Sequence, residues 1–151
     1  MTPKLVRDLM TVGVPTCKTS TPVLEVARFL LDKNLDELVV LNDEGEAVGV
    51  CGLEHLVPLY GREDLAALTA EEAMSEGVPS LPADVPVAVA AQTMIDQGIR
   101  TAYMMHNSAG IIYPAGFISF RHIGSISRGG PGSRMTTLPF FSTHQPGAVP
   151  L

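Results

Sequence analysis

The feature that most constrains what this chain can fold into is an internal repeat. Asp8-Leu9-Met10 recurs as Glu72-Ala73-Met74, and Val14-Pro15-Thr16 recurs as Val78-Pro79-Ser80, each 64 residues later. Pro22-Val23 recurs as Pro86-Val87, Ala27 as Ala91, and Leu31-Asp32 as Ile95-Asp96, without a gap. A small insertion near residues 108–114 then moves the offset to 67, where Gly49-Val50 matches Gly116-Phe117. Matches that keep register over this length mark a duplication. A unit too small to bury its own apolar faces must then pack against its copy.

Each copy reads alike. Val23, Val26, Ala27, Leu30 and Leu31 fall at i, i+3, i+4, i+7 and i+8, one apolar face of a helix, and Val87, Ala90, Ala91, Met94 and Ile95 repeat the steps. Pro22 and Pro86 suit a first turn, with Ser20 or Thr21 and Asp84 as caps. Asn34 and Gly98 tolerate the positive φ that ends a helix. The short apolar runs 38–41 and 102–105 predict buried strands, followed by turns at 42–45 and 107–110 and strands at 47–51 and 112–118. A second helix is predicted to start near Leu53 and near Phe120, and the linker 61–75 to be partly helical. The expected fold class is α/β: two pseudo-symmetric βαββα repeats sharing one core, with an irregular C-terminal tail. The expected boundaries are 1–66 for repeat one with its linker, 67–127 for repeat two and 128–151 for the tail. Leu53, Leu56 and Leu59 form a helix face that calls for cover, which a homodimer would supply through a self-matching twofold patch.

The tail is rich in Pro and Gly and has no helical or strand period, so it reads as a loose end or as a short docking segment carrying Phe140-Phe141. Composition excludes other classes. Hydrophobic residues are 46% and charged residues 17%, against about 25% charged in an average domain, which rules out disorder of the whole chain. No stretch approaches about 18 uninterrupted apolar residues, so no membrane span is expected. The first ten residues have no apolar secretory core. Cys17 and Cys51 are too few for a disulfide framework and read as reduced thiols of a cytoplasmic protein. All 16 acidic residues precede Gln97, whereas residues 97–151 hold Arg100, Arg121, Arg128 and Arg134 and no acid. That asymmetry suits either an anion site or a second half that is simply poor in charge. Four arginines so widely spread are too sparse for a nucleic-acid surface.

Together these residues resemble a tandem pair of CBS domains, the module named after cystathionine β-synthase. The resemblance rests on Val6-Arg7-Asp8-Leu9-Met10 opening copy one and on the Pro22 and Pro86 helix starts. It rests also on Val39-Val40-Leu41-Asn42-Asp43-Glu44-Gly45 and on Gly-hydrophobic-hydrophobic at Gly49 and Gly116, and it spans about Leu5 to Ile126. It implies paired βαββα repeats, commonly assembled as a dimer of pairs. It also implies a sensing role in which AMP, ADP, ATP or S-adenosylmethionine binds in clefts between repeats, with no cofactor required. The resemblance further implies a Gly-h-h-Ser/Thr-x-x-Asp turn whose hydroxyl reaches phosphate or ribose and whose acid accepts from the ribose hydroxyls. Copy one reads Gly49-Val50-Cys51-Gly52-Leu53-Glu54-His55, with Gly52 for the hydroxyl and His55 for the acid. Copy two reads Gly116-Phe117-Ile118-Ser119-Phe120-Arg121-His122, which keeps the hydroxyl as Ser119 and replaces the acid by His122.

Arg100, Thr101, Ser119, Arg121 and His122 are therefore the expected lining of a copy-two cleft for an anion. Pro15 and Leu35 of copy one are its expected opposite wall, placed to sandwich a base. A phosphate there would meet backbone N–H groups where the Phe120 helix begins. In copy one, Asp36, Glu37 and Glu54 take the corresponding places and repel phosphate. The alternative is that Arg100 and Arg121 are ordinary surface charges. No Ser-His-Asp order, P-loop or paired catalytic carboxylates stands out, and His55 and His122 lack further ligands at metal-binding spacing, so neither catalysis nor a metal is expected. Two functions stay open. One is a ligand-sensing regulatory module that signals through a separate effector protein; the other is a protein-interaction module whose nucleotide sites have degenerated.

Overall fold

The structure, a computed structural model, describes residues 3–126. The tail expected at 128–151, with Phe140 and Phe141, lies outside the described residues. The chain opens with helix α1 (Val6–Leu9) and strand β1 (Thr11–Val12), then runs through β2 (Thr16–Lys18), α2 (Val23–Lys33), β3 (Glu37–Leu41), β4 (Ala47–Gly52) and α3 (Leu53–Leu56). After 3-10 turns at Val57–Leu59 and Leu65–Ala67 the order recurs as α4 (Ala70–Ala73), β5 (Ser75–Glu76), α5 (Val87–Gln97), β6 (Thr101–Ser108), β7 (Ile111–Ser119) and α6 (Phe120–Ile126). The first strand of repeat two shrinks to one parallel bridge, Ser80 to Tyr103, where repeat one pairs Thr16 with Val39. Pro82 follows that bridge, and proline is poorly suited to a strand interior.

The long helices bury the expected stripes, Val23, Val26 and Leu30 in α2 and Val87, Ala90 and Met94 in α5. Leu31 and Ile95, at the margin of each stripe, stay 63% and 61% exposed. Asn34 (φ 56°) and Gly98 (φ 70°) end the helices in the left-handed region, as expected. The caps differ from expectation. Pro22 and Pro86 are themselves the N-caps, and no side chain caps either helix. The Thr21 hydroxyl instead accepts the Lys18 N–H. The first free N–H of each helix goes to a backbone carbonyl of another segment, Val23 to Leu68 at 3.0 Å and Val87 to Lys4 at 2.9 Å.

Those two bonds belong to an exchange of lead-in segments. Strand β1, from the start of the chain, pairs antiparallel with β7 of repeat two, in a sheet ordered β1-β7-β6. Strand β5, from the start of repeat two, pairs antiparallel with β4 of repeat one, in a sheet ordered β2-β3-β4-β5. The short helices go with their strands. Val6, Leu9 and Met10 pack with Ala90, Met94, Ala102 and Ile118, while Ala70, Ala73 and Met74 pack with Val26, Leu30 and Leu38. Each short helix is closed by an acid at its third position. Asp8 accepts the Leu5 N–H at 3.0 Å and Glu72 the Thr69 N–H at 2.9 Å, the acid half of a capping box. This is the chemistry behind the repeated Asp8-Leu9-Met10 and Glu72-Ala73-Met74.

The exchange needs two glycines. A Cβ built on Gly49 would stand 2.5 Å from the Ser75 carbonyl oxygen, and one on Gly116 would stand 2.9 Å from that of Thr11. A third apolar cluster joins the halves: Val39, Val50 and Tyr103 are buried together, with Val14, Val78, Met105 and Phe117 against them. The repeats thus share buried surface, and each carries a segment of the other. Leu53, Leu56 and Leu59 do not form the uncovered face the sequence suggested. Leu56 is buried, and Leu53 and Leu59 pack on the repeat-one core. The reason is that α3 ends at Leu56 in a 3-10 turn, and α3 and the later turn at Leu65–Ala67 both pack against α2, so the leucines find cover within repeat one.

Candidate functional site

A cleft of about 750 Å³ opens where the repeats meet. One wall comes from the end of β4 and from α3, with Val50, Leu53, Glu54 and His55; the other comes from the lead-in and the α5–β6 turn of repeat two, with Val78, Pro79, Ile99, Arg100 and Thr101. Asp36, Glu37 and Glu76 also line it. Pro79 and Ile99 are the copies, 64 residues on, of Pro15 and Leu35. The repeat offset was the signal that could have found them.

The residues expected from the sequence divide. Arg100 and Thr101 line this cleft. Ser119, Arg121 and His122 sit at the start of α6. Arg121 is exposed and stands 3.8 Å from the Asp36 carboxylate, a solvated pair of the kind worth at most about 1 kcal/mol. Pro15 is buried beneath the surface, its carbonyl taken by the Val39 N–H at 3.1 Å, and Leu35 packs on the repeat-one core. Three of the backbone donors expected for a phosphate at α6 are engaged inside the protein. The Ser119 N–H donates to His122 Nδ1 at 2.9 Å, the Phe120 N–H to the Arg100 carbonyl at 3.0 Å, and the His122 N–H to Ser119 Oγ at 3.4 Å. Repeat one is built the same way, with Gly52 N–H to His55 Nδ1 at 2.9 Å and Leu53 N–H to the Asp36 carbonyl at 3.1 Å.

The two histidines thereby acquire a role that the sequence did not reveal. Each accepts at Nδ1, so each carries its proton on Nε2. That proton points at the exchanged strand: His122 Nε2 lies 2.9 Å from Thr11 Oγ1, and His55 Nε2 lies 2.8 Å from Ser75 Oγ. Each histidine clasps a helix start to a strand from the other repeat. Burial holds the His122 imidazole below its ordinary value of 6.5, which favours this neutral form.

Glu37, which lines the cleft, accepts the Tyr103 hydroxyl at 2.7 Å. Tyr103 is 1% exposed. Burial raises the Glu37 carboxyl; the Tyr103 bond opposes this, and Glu54 and Asp36 add to it. Thr101 is only 5% exposed, and its hydroxyl has no hydrogen-bond partner among the described residues. No fully enclosed side-chain polar atom among them is left without a partner, so this oxygen opens to the cleft.

Other chemistry is quiet. Cys17 and Cys51 are buried and unpaired, and burial pushes their thiols up to about 12 and about 11, which keeps them protonated and poor nucleophiles. Among the described residues, no three His, Cys, Asp or Glu side chains are grouped to hold a metal ion. No helix there is long and apolar enough to cross a membrane.

Comparison with known proteins places this geometry. The profile of the CBS domain matches residues 6–60. No curated protein matches by sequence. Among solved structures, the CBS domain pair of protein MJ0100, in complex with 5-methylthioadenosine and S-adenosyl-L-methionine, superposes with a TM-score of 0.73 at 20% identity, covering 86% of this chain and 100% of that one. CBSX2 in complex with AMP gives 0.68 at 18% identity, over 82% of this chain and 96% of that one. The CBS domain of the bacterial CNNM/CorC family Mg2+ transporter, in complex with ATP, gives 0.67 at 15%, over 81% and 85%. Residues 6–60 match the CBS domain, repeat two recapitulates its elements, and the chain has the fold of a tandem CBS domain pair.

Proposed function

We propose that this chain is a non-catalytic regulatory module. It binds an adenosine-containing small molecule in the cleft between its repeats and passes the bound state to a partner protein. The observation that carries this reading is the cleft itself, walled by both repeats and lined by Thr101, a residue only 5% exposed whose hydroxyl is left open with no partner among the described residues. A ligand seated there touches Leu53 and Glu54 on one side and Ile99 and Thr101 on the other. Its occupancy therefore bears on how the repeats sit together. AMP, ATP and S-adenosyl-L-methionine, bound by the similar structures, set the chemical class to try first. The free thiols fit a reducing compartment such as the cytoplasm.

Assembly as a homodimer belongs to the same reading. Leu31 on α2 and Ile95 on α5 are exposed at repeat-equivalent positions, so a second copy can meet this surface across a twofold axis with like facing like.

The test is thermal unfolding of the wild type against adenosine, AMP, ATP and S-adenosylmethionine. A compound at about 100 times its Kd adds about 2.7 kcal/mol of stability, and Thr101→Val should weaken that gain. If no adenosine compound stabilises the protein, the interaction-module reading takes its place. One observation favours that second reading: both positions where the family pattern has an acid hold histidines already committed to Ser75 and Thr11.

A further inference from the structure

Four carboxylates line the cleft, Asp36, Glu37, Glu54 and Glu76, against one guanidinium, Arg100. Arg121 approaches only Asp36, from outside the lining, at 3.8 Å. The acids are not loosely placed around a void. Glu37 is held by the buried Tyr103 hydroxyl at 2.7 Å, and Thr101, only 5% exposed, lines the same cleft with a hydroxyl that has no hydrogen-bond partner among the described residues. Apart from Arg100, the groups that would hold a phosphate at the start of α3 are engaged or replaced. The Gly52 N–H is given to His55 Nδ1 and the Leu53 N–H to the Asp36 carbonyl. No hydroxyl stands at Gly52, and the first turn of α3 carries Glu54.

We infer that this cleft selects a ligand bearing a positive charge, an organic cation such as an amine-bearing nucleoside, and discriminates against phosphate esters. The inference rests on the reading that the cleft binds an adenosine-type ligand, and it adds the charge of the group attached to the sugar. The carboxylates attract an ammonium group at the cleft mouth and repel a phosphate in the same place, while the Thr101 hydroxyl serves a neutral part of the ligand. The sequence already set Asp36, Glu37 and Glu54 against phosphate in copy one and expected an anion in the copy-two cleft, with Arg100, Ser119 and Arg121. The fold has Arg100 line the copy-one cleft, among those acids.

Calorimetry with three probes that differ at one position decides the matter: adenosine, AMP and 5′-amino-5′-deoxyadenosine. The amine should bind roughly tenfold or more tightly than AMP, the scale expected when an attractive charge pair replaces a repulsive one in a half-exposed site. Adenosine should fall between them. In the double variant Glu54→Gln/Glu76→Gln, whose side chains are on the surface and whose fold is checked by an unchanged circular dichroism spectrum, the ratio between amine and AMP should shrink. AMP binding as tightly as the amine overturns the charge inference and leaves the sensor reading standing. A ratio unchanged in the double variant overturns it too, since the cleft acids would then not be its cause. Failure of all three probes to bind overturns both.

Discussion

Replacing Gly49 by alanine tests the exchange of lead-in segments at a close approach of the two repeats. The added methyl would stand 2.5 Å from the Ser75 carbonyl oxygen and 2.6 Å from Met74 Sδ. The methionine can swing aside, but the carbonyl belongs to the backbone of β5, so the strand must move. Overpacking of this kind costs about 1–3 kcal/mol. Moving β5 also weakens the Gly49–Glu76 and Val50–Ser75 pairs and pulls Ser75 Oγ from His55 Nε2, where each lost hydrogen bond adds about 0.5–1.5 kcal/mol. The expected loss is about 2–4 kcal/mol. With a urea slope of about 2 kcal/mol per molar, the midpoint falls by about 1–2 M. Gly61→Ala is the control, because a Cβ there meets nothing within 4 Å, and its change should stay within about 0.5 kcal/mol. If the two variants unfold at the same urea concentration, β5 does not lie against β4 as described, and the repeats do not exchange their lead-in segments.

Three further outcomes follow from the buried groups. Burial depresses the His122 imidazole below 6.5, so its contribution to stability is present above that value and is lost as pH falls through the depressed one. His122→Asn, which keeps an acceptor for the Ser119 N–H, should melt lower at pH 7.5, and the gap to wild type should narrow toward pH 5; a gap that widens refutes this. Glu37 is raised from its ordinary 4.5, chiefly by burial, so its favourable contribution is present below 4.5 and lost as pH rises past the raised value. Glu37→Gln should therefore melt above wild type at pH 8 and lose that advantage toward pH 4.5. Cys17 and Cys51, pushed up to about 12 and about 11, should react with a thiol reagent at pH 8 only after unfolding; rapid labelling of the native protein would contradict their burial.

Much of the fold was legible because a duplication reports on itself. Helices α2 and α5 keep the 64-residue offset at both ends, their αL terminators sit at Asn34 and Gly98, and the small insertion near residues 108–114 falls where β6 and β7 are longer than β3 and β4. What the sequence could not tell is which repeat each lead-in segment joins. Val6 and Ala70 are both small and apolar, and Asp8 and Glu72 close their helices alike. Pairing within a repeat and pairing across repeats would thus satisfy the same local rules. The choice lies in close approaches such as Ser75 over Gly49, which have no one-dimensional signature. The same ignorance misassigned the histidines: their substitution for an acid was visible, but the partner of His122 lies 111 residues away at Thr11. Arg100 was grouped with Ser119 and Arg121 of its own repeat, whereas in the fold it lines a cleft together with Asp36 and Glu54 of repeat one.

The central claim, that the junction of the repeats is a ligand site, is tested most directly by following backbone amide signals of the wild type in solution as adenosine is added. The account predicts saturable shifts concentrated at Val50, Val78, Ile99 and Thr101, the residues that wall the cleft from both repeats. Signals that do not move at millimolar adenosine, or shifts confined to residues 119–122, would contradict it.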